Sequence, residues 1–318
     1  MKSFGIWSAL SPSINCFQGF TRAVGQTGHE NGSFGYEKRY LLVQTNVSNF
    51  RHPGYHTVFL KKGGQHTDDC LAVEEPMEIR VDSQSVAVVL RTPEAHPDMD
   101  LNLALGFLFT EGVIDDLDDI TSVGHCTDGN NPNRQNLVFV NLASGSLAAK
   151  KRLENAIRLH YVSSSCGVCG KASIDKVFQM TQPLPTLMEL DDSFIRSMPT
   201  KLRSRQTNFE MTGGVHGAAI FTQDGQLKAF AEDVGRHNAV DKVIGRCLRT
   251  QAFPLDGHVM VVSSRAGFEI VQKAIMARIG AVISVGAASS MAHDLAVRSR
   301  LALYSFVRDD RFNDHSSP

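Results

Sequence analysis

No run of apolar residues in this chain approaches the ~20 that a membrane-spanning helix needs, so nothing in it reads as a membrane anchor. Neither sign of charge is in excess. Lys and Arg number 32 against 33 Asp and Glu, which removes a global affinity for nucleic acid or an anionic membrane surface. Cysteine is scarce, with six in 318 residues. Cys16, Cys70, Cys126 and Cys247 stand alone and read as packing or surface residues. A disulfide scaffold is therefore excluded, and reduced thiols in the cytoplasm are expected. There is no P-loop and no G-x-G-x-x-G. Internal repeats and low-complexity tracts are missing too. Met1–Leu10 lacks the apolar core and small-residue cleavage site of a secretory leader. Gly, Ser, Asn and Gln dominate Gly25–Gly35, so residues 1–39 read as a flexible extension.

Against this background one stretch stands out: Ser163-Ser164-Ser165-Cys166-Gly167-Val168-Cys169-Gly170. Ile174, Val177 and Phe178 follow at helical spacing, so a helix is expected from Lys171 or Ala172. The two thiols then sit in a loop feeding a helix N-terminus. Unpaired N–H groups, the positive end of the dipole and Lys171 favour a thiolate there. Bare glycine backbone keeps the sulfur reachable, which suits a nucleophile. Three alternatives stand beside this one. A zinc site could combine the pair with His216 and His237, although these lack tight spacing. A thioredoxin-type dithiol would want a βαβ setting. A zinc nucleobase deaminase needs H-x-E before P-C-x-x-C, and no histidine here is followed by x-Glu.

The chain divides at this loop. Before it, strands are expected at Tyr40–Val47, Tyr55–Leu60, Met77–Val81, Val86–Arg91, Leu137–Leu142 and Ile157–Val162. One helix is expected from an Asp100 N-cap through Phe109 to Gly112. Residues 40–162 thus read as a smaller, mostly-strand domain. After it, a helical region spans Asp191–Arg205, interrupted or restarted at Pro199. A hairpin follows with strands Gly217–Thr222 and Gln226–Ala231 around Asp224-Gly225. Helices Asn238–Leu248, Phe268–Ile279 and Met291–Val297 then alternate with strands His258–Val262, Ala281–Val285 and Leu301–Val307. Residues 163–311 read as a three-layer α/β domain with parallel strands toward its end, and 312–318 as a tail.

Open α/β sheets bind ligands at the carboxyl ends of their strands. Here those ends carry Glu232–Asn238, Ser263–Gly267, Gly286–Ser290 and Arg308–Arg311, while Thr212-Gly213-Gly214-Val215-His216 precedes the hairpin. Ser- and Gly-bearing turns at helix starts suit phosphate oxygens. Arg236, Arg265, Arg308 and Arg311 could grip a diphosphate with their forked donors. Each has a plainer alternative: Arg236 and Arg265 could pair with Asp233 or Glu269, His237 and Asn238 could cap a helix, and the serines could be ordinary N-caps.

The blocks Leu71–Ile79, Arg91-Thr92-Pro93, Ala104–Gly112, Ser164–Ile174, Thr212–Ala218, Glu232–Gly245 and Ser263–Lys273, taken in order, resemble the formate dehydrogenase accessory sulfurtransferase family, FdhD/NarQ. The likeness spans Asp68 to Arg311, and Arg-His-Asn-Ala-Val-Asp-Lys (236–242) is its most specific part. It implies a cytidine-deaminase-like C-terminal domain without a metal of its own. It implies a persulfide on Cys166, with Cys169 in support, loaded by a cysteine desulfurase. The sulfur would pass to the molybdenum or tungsten bis(molybdopterin guanine dinucleotide) cofactor destined for formate dehydrogenase. The family's cofactor-binding segment corresponds to Phe306, Val307, Arg308, Asp309, Asp310 and Arg311. The Asp309-Asp310 pair departs from the family's small or basic residues there, and near phosphates needs Arg308 and Arg311 to neutralise it. A homodimer is implied as well. The resemblance also leaves room for a non-catalytic chaperone that binds the cofactor and delivers it.

Overall fold

The computed structural model describes residues 52–160 and 182–316, apart from 95 and 97. The expected Tyr40–Val47 strand, the Cys166/Cys169 loop and the helix after Lys171 lie outside the described residues.

The chain first makes a hairpin of β1 (Tyr55–Lys62) and β2 (Gln65–Ala72), turned at Gly63-Gly64. Strand β2 had no sequence signal, because its polar run Gln-His-Thr-Asp-Asp alternates with nothing apolar. A four-stranded sheet follows, in the order β4-β3-β6-β5. It comprises β3 (Glu75–Val81), β4 (Gln84–Arg91), β5 (Ile120–His125) and β6 (Leu137–Leu142). In β3, Met77, Ile79 and Val81 are fully buried while Glu78 and Arg80 face outward, the period of two that a half-covered strand demands. Asp82 and Ser83 make the β3–β4 turn with φ of 45° and 67°.

Helix α1 (Asp98–Thr110) covers this sheet. It begins two residues before the expected Asp100 cap. Asp100 instead receives both Nε and Nη2 of the buried Arg91 at 2.9 and 3.0 Å, a demand that outranks capping. The expected strand at Ile157–Val162 is corrected. Residues 157–160 complete helix α2 (Leu147–His160), whose Ala149 and Leu153 are buried four residues apart. Its Ala, Leu, Lys and Glu content favours helix throughout.

The second sheet has six strands in the order β12-β11-β10-β9-β7-β8. They are β7 (His216–Thr222), β8 (Leu227–Asp233), β9 (His258–Val262), β10 (Ala281–Ser284), β11 (Ala302–Ser305) and β12 (Asn313–Asp314). Strands β9, β10 and β11 are parallel, and β7 runs against its neighbours. Both faces are covered, hence the near-continuous apolar runs. Helices α5 (Arg236–Arg249), α6 (Phe268–Met276) and α7 (Ser290–Ser299) pack one face together with α1. Helix α3 (Asp192–Arg203) packs the other, through Ile195, Met198 and Leu202. Pro199 lies inside α3 without interrupting it, because that buried apolar stripe holds the turn. A short helix α4 (Thr207–Thr212) follows. This is the three-layer, cytidine-deaminase-like α/β arrangement, beside a smaller, mostly-β part.

Helices α1 and α5 cross at their backbones. A Cβ on Gly106 would lie 1.9 Å from the Asp241 carbonyl oxygen, and one on Gly245 would lie 1.8 Å from that of Asn102. One continuous hydrophobic core therefore runs from Ile79 and Leu105 to Ile244 and Leu303.

Candidate functional site at the sheet rim

Because β7 is antiparallel to β9, its start lies beside the ends of the parallel strands. A cleft of about 980 Å³ opens at this rim. Gly213, Gly214 and Val215 enter from the turn before β7 and His216 from its start, Ser263 and Val285 from just past β9 and β10, and Arg308, Asp309, Asp310 and Arg311 from beyond β11. Thr200, Arg203, Gln206 and Phe209 form the opposite wall, from α3 and α4. Two expected features of the sequence, the Gly-Gly-Val-His stretch and the segment after the last parallel strand, are thus brought together.

The backbone explains why the rim holds its shape. Gly213 ends α4 with a left-handed φ of 63°, which glycine adopts without strain. Ser263 and Gly217 bond reciprocally, N–H of Gly217 to Oγ at 2.9 Å and N–H of Ser263 to the Gly217 oxygen at 3.0 Å. Arg308 donates from Nη1 to the carbonyl oxygens of Val285 and Val307, both at 2.8 Å, so it staples two strand ends. Arg311 is exposed and pairs with the equally exposed Asp310 at 3.4 Å. Asp309 accepts from Thr200 Oγ1 at 3.3 Å. The two carboxylates are therefore each met by a donor, and Arg203 and Arg311 leave the cleft with cationic character.

Phe306 and Val307 do not line it. Phe306 is exposed with a left-handed φ of 51°. Val307 is fully buried under the sheet. Nor do the other expected arginines pair as the plainer readings had it. Asp233 is engaged by Lys242 and Glu269 by His237. Ser289 is an ordinary cap, accepting from the Ala292 N–H at 3.2 Å. His216 is half-buried, and burial, then the nearby Arg236 charge, lowers its pKa below the usual histidine value. Among the described residues no cluster of His, Cys, Asp and Glu could hold a metal ion.

Most of the block 236–242 turns out to be scaffold. Lys242 is fully buried and donates to Asp233 at 2.8 Å, Glu94 at 3.0 Å and the carbonyl oxygens of Thr92 and Glu232. Asp241 binds Lys273 at 2.9 Å and Thr110 at 2.9 Å. Asn238 reaches the Leu90 oxygen at 2.7 Å and Asp233 at 3.0 Å. Thr92 donates its N–H to Asp233 and accepts from Val234. These residues tie the first sheet to the second.

The residues that sequence reasoning missed are Thr200, Arg203, Gln206 and Phe209. They sit on helices, where amphipathic pattern was the visible signal. Arg203 stacks 4.4 Å over the Phe209 ring, a pairing six residues apart that crosses a helix break and has no local motif.

Fold and rim together define a class: a three-layer α/β protein with an anion-suited cleft where the parallel strands end. Residues 72–318 match the FdhD/NarQ family, and the chain belongs to it. The sulfur carrier protein FdhD of Streptomyces avermitilis is 42% identical over 252 residues, covering 77% of this chain and 86% of that protein. Those of Mycolicibacterium paratuberculosis and Anaeromyxobacter dehalogenans are 43% and 42% identical, covering 77% and 81% of this chain and 89% and 90% of theirs. The crystal structure of a putative formate dehydrogenase accessory protein from Desulfotalea psychrophila superposes with a TM-score of 0.63 over 83% of this chain and 96% of that one, at 23% identity, and so speaks to the fold. No helix among the described residues is long and apolar enough to cross a membrane.

Proposed function

We propose that this protein is a cytoplasmic sulfurtransferase of formate dehydrogenase maturation. It takes sulfur from a cysteine desulfurase on Cys166 and passes it to a bis(molybdopterin guanine dinucleotide) cofactor bound as substrate in the rim cleft. The observation that carries this reading is the convergence of Arg308–Arg311 with Gly213–His216 and Ser263 around one cleft, in a chain whose relatives are named sulfur carriers. A cleft of about 980 Å³ is of a size that encloses a nucleotide-sized ligand. Arg203, Arg311 and His216 supply donors for phosphate oxygens.

The sulfur chemistry balances with the chain's own thiols. The Cys166 thiolate attacks the terminal sulfur of a donor persulfide, forming Cys166–S–SH and releasing the donor thiolate. Cys169 then attacks the inner sulfur. A Cys166–Cys169 disulfide forms, and the terminal sulfur leaves as sulfide to ligate the metal of the substrate. The two electrons that turn sulfane sulfur into sulfide come from the two thiols. Working partners on this reading are the desulfurase, formate dehydrogenase and a second copy of the chain in a homodimer.

Incubation with a desulfurase and cysteine should add one sulfur to the peptide bearing Cys166, and Cys166→Ala should abolish it. Undiminished sulfur loading of the Cys166→Ala protein would sink the assignment. Complementation of a deletion strain separates the roles. If Cys166→Ala restores formate dehydrogenase fully, the protein delivers cofactor without carrying sulfur.

A further inference from the structure

The cleft-lining segment Arg308–Arg311 belongs to a loop closed at its base by β11 and β12. On leaving β11 the chain is pinned by the N–H groups of Phe306 and Val307, which donate to the carbonyl oxygens of Gly286 and Ser284 at 2.9 and 3.1 Å. It returns as β12, with Asn313 opposite Ser305 and Asp314 opposite Tyr304, and the His315 N–H donates to the Leu303 oxygen at 2.9 Å. Two residues are far fewer than a strand usually has, so side chains decide whether this one stays. His315 Nε2 lies 2.8 Å from the buried Ser305 Oγ. Its ring meets the His293 ring of α7 edge-on, with 5.5 Å between centroids. Nδ1 of His293 is covered by protein and has no hydrogen-bond partner among the described residues. A neutral imidazole tolerates that as a bare lone pair, whereas an imidazolium puts an N–H there with nothing to accept it. Two imidazoliums in such contact also repel. On the other face of β11, Tyr304 meets Phe312 edge-on at 5.6 Å, and Arg196 of α3 lies over that same Phe312 ring. Burial, then the His293 charge, hold the His315 pKa below the ordinary histidine value, and Asp314 on its own strand opposes them.

We propose that β12 and His315 form a proton-sensitive strap: with both imidazoles neutral it holds the Arg308–Arg311 loop at the cleft, and uptake of a proton by the His293–His315 pair releases the end of that loop that carries Arg311. The sign follows from the surroundings of the pair. The unfastened strand takes up its proton first, near the ordinary histidine pKa of about 6.5. The fastening is therefore complete above that value and is lost as pH falls through the docked one. The strap acts on the loop itself and does not depend on which ligand the cleft takes.

The test is amide hydrogen exchange of the full-length protein, read by mass spectrometry on peptides covering residues 303–316 and corrected for the intrinsic effect of pH. At about pH 5.5, one unit below the ordinary histidine value, these peptides should exchange about tenfold faster than at about pH 8. A peptide covering β9 should stay protected at both, which shows the fold intact. His315→Gln, whose amide still reaches Ser305 but takes no proton, should remove the difference. His293→Gln, which takes away the opposing ring, should shrink it severalfold, and it decides the matter if His315→Gln frays at both pH values. Equal exchange of wild type at the two pH values, or an undiminished pH effect in both variants, would overturn the strap. Its hold on the cleft is read by calorimetry with inorganic diphosphate. The affinity of wild type divided by that of His315→Gln should fall about fivefold between the same two pH values, a ratio in which the titrations of diphosphate and of His216 cancel. An unchanged ratio would sever the strap from the cleft and overturn the proposal. If diphosphate binds neither protein at either pH, the cofactor reading fails, while the exchange result still decides the strap.

Discussion

Asp233 and Lys242 meet at 2.8 Å with neither side chain exposing any surface. Removing one partner of such a pair leaves a buried uncompensated charge, at a cost of ~3–5 kcal/mol. Lys242→Ala should therefore lower unfolding free energy by about that amount, read from the urea midpoint. A change below ~1 kcal/mol would show that water replaces the amine. The pH dependence has a definite sign. Burial alone would lower the Lys242 pKa, but Asp233 and Glu94 outweigh it and hold it above the ordinary lysine value. The unfolded chain then loses its proton first. The contribution is complete below the ordinary lysine pKa and is lost as pH rises through the folded value.

Gly245→Ala would drive a methyl group into the Asn102 carbonyl oxygen, and Gly106→Ala into that of Asp241. Overpacking of this kind costs typically ~1–3 kcal/mol and more against rigid backbone. Each variant should melt well below wild type in calorimetry. Gly267→Ala, with open space around the added carbon, is the control that should not.

His216 should titrate below the usual histidine midpoint in the free protein, since burial, Arg236 and His237 all disfavour its charge. Its contribution to stability is present above the ordinary histidine pKa and is lost as pH falls through the folded value, because the unfolded chain takes up the proton first. Inorganic diphosphate in the cleft should move the midpoint upward in a proton NMR titration. An unmoved midpoint would place the anion elsewhere.

The two rim arginines should part company. Arg311→Ala should weaken diphosphate binding several-fold with no change in melting temperature, as its guanidinium faces solvent. Arg308→Ala should lower the melting temperature as well, because it unfastens Val285 and Val307. Equal behaviour of the two would refute the division of labour.

Burial pushes the Cys247 thiol up to about 12. Iodoacetamide at pH 8 should therefore leave it unmodified in the native protein and modify it after unfolding. Half-buried Cys70 and Cys126 should react sooner. Peptide mapping by mass spectrometry reads all three.

Much of this was legible in the sequence. Strands with clean apolar runs, such as His258–Val262, and turns with special residues, such as Asp224-Gly225, need little tertiary context. Strand β2 was not legible, because hairpin pairing rather than side-chain pattern holds it. The helix at 157–160 was misread because Ile157 and the residues after it look strand-like once cut from the Ala- and Lys-rich turns before them. At the cleft, the Gly-Gly-Val-His stretch and Arg308–Arg311 were visible by position. Arg203 was not, since its place comes from the Phe209 ring across a helix break. Conversely, Asn238, read from its strand-end position as a candidate, proved to be a coupler, bonded to Leu90 and Asp233. A polar block in a strand-end loop does not reveal whether its partners are ligand or protein.

The bare-backbone crossing of α1 and α5 also limits how the molecule can move. Two halves welded at Gly106 and Gly245 have no slack to swing like jaws around a substrate. A guest at the rim therefore meets a foundation that stays put.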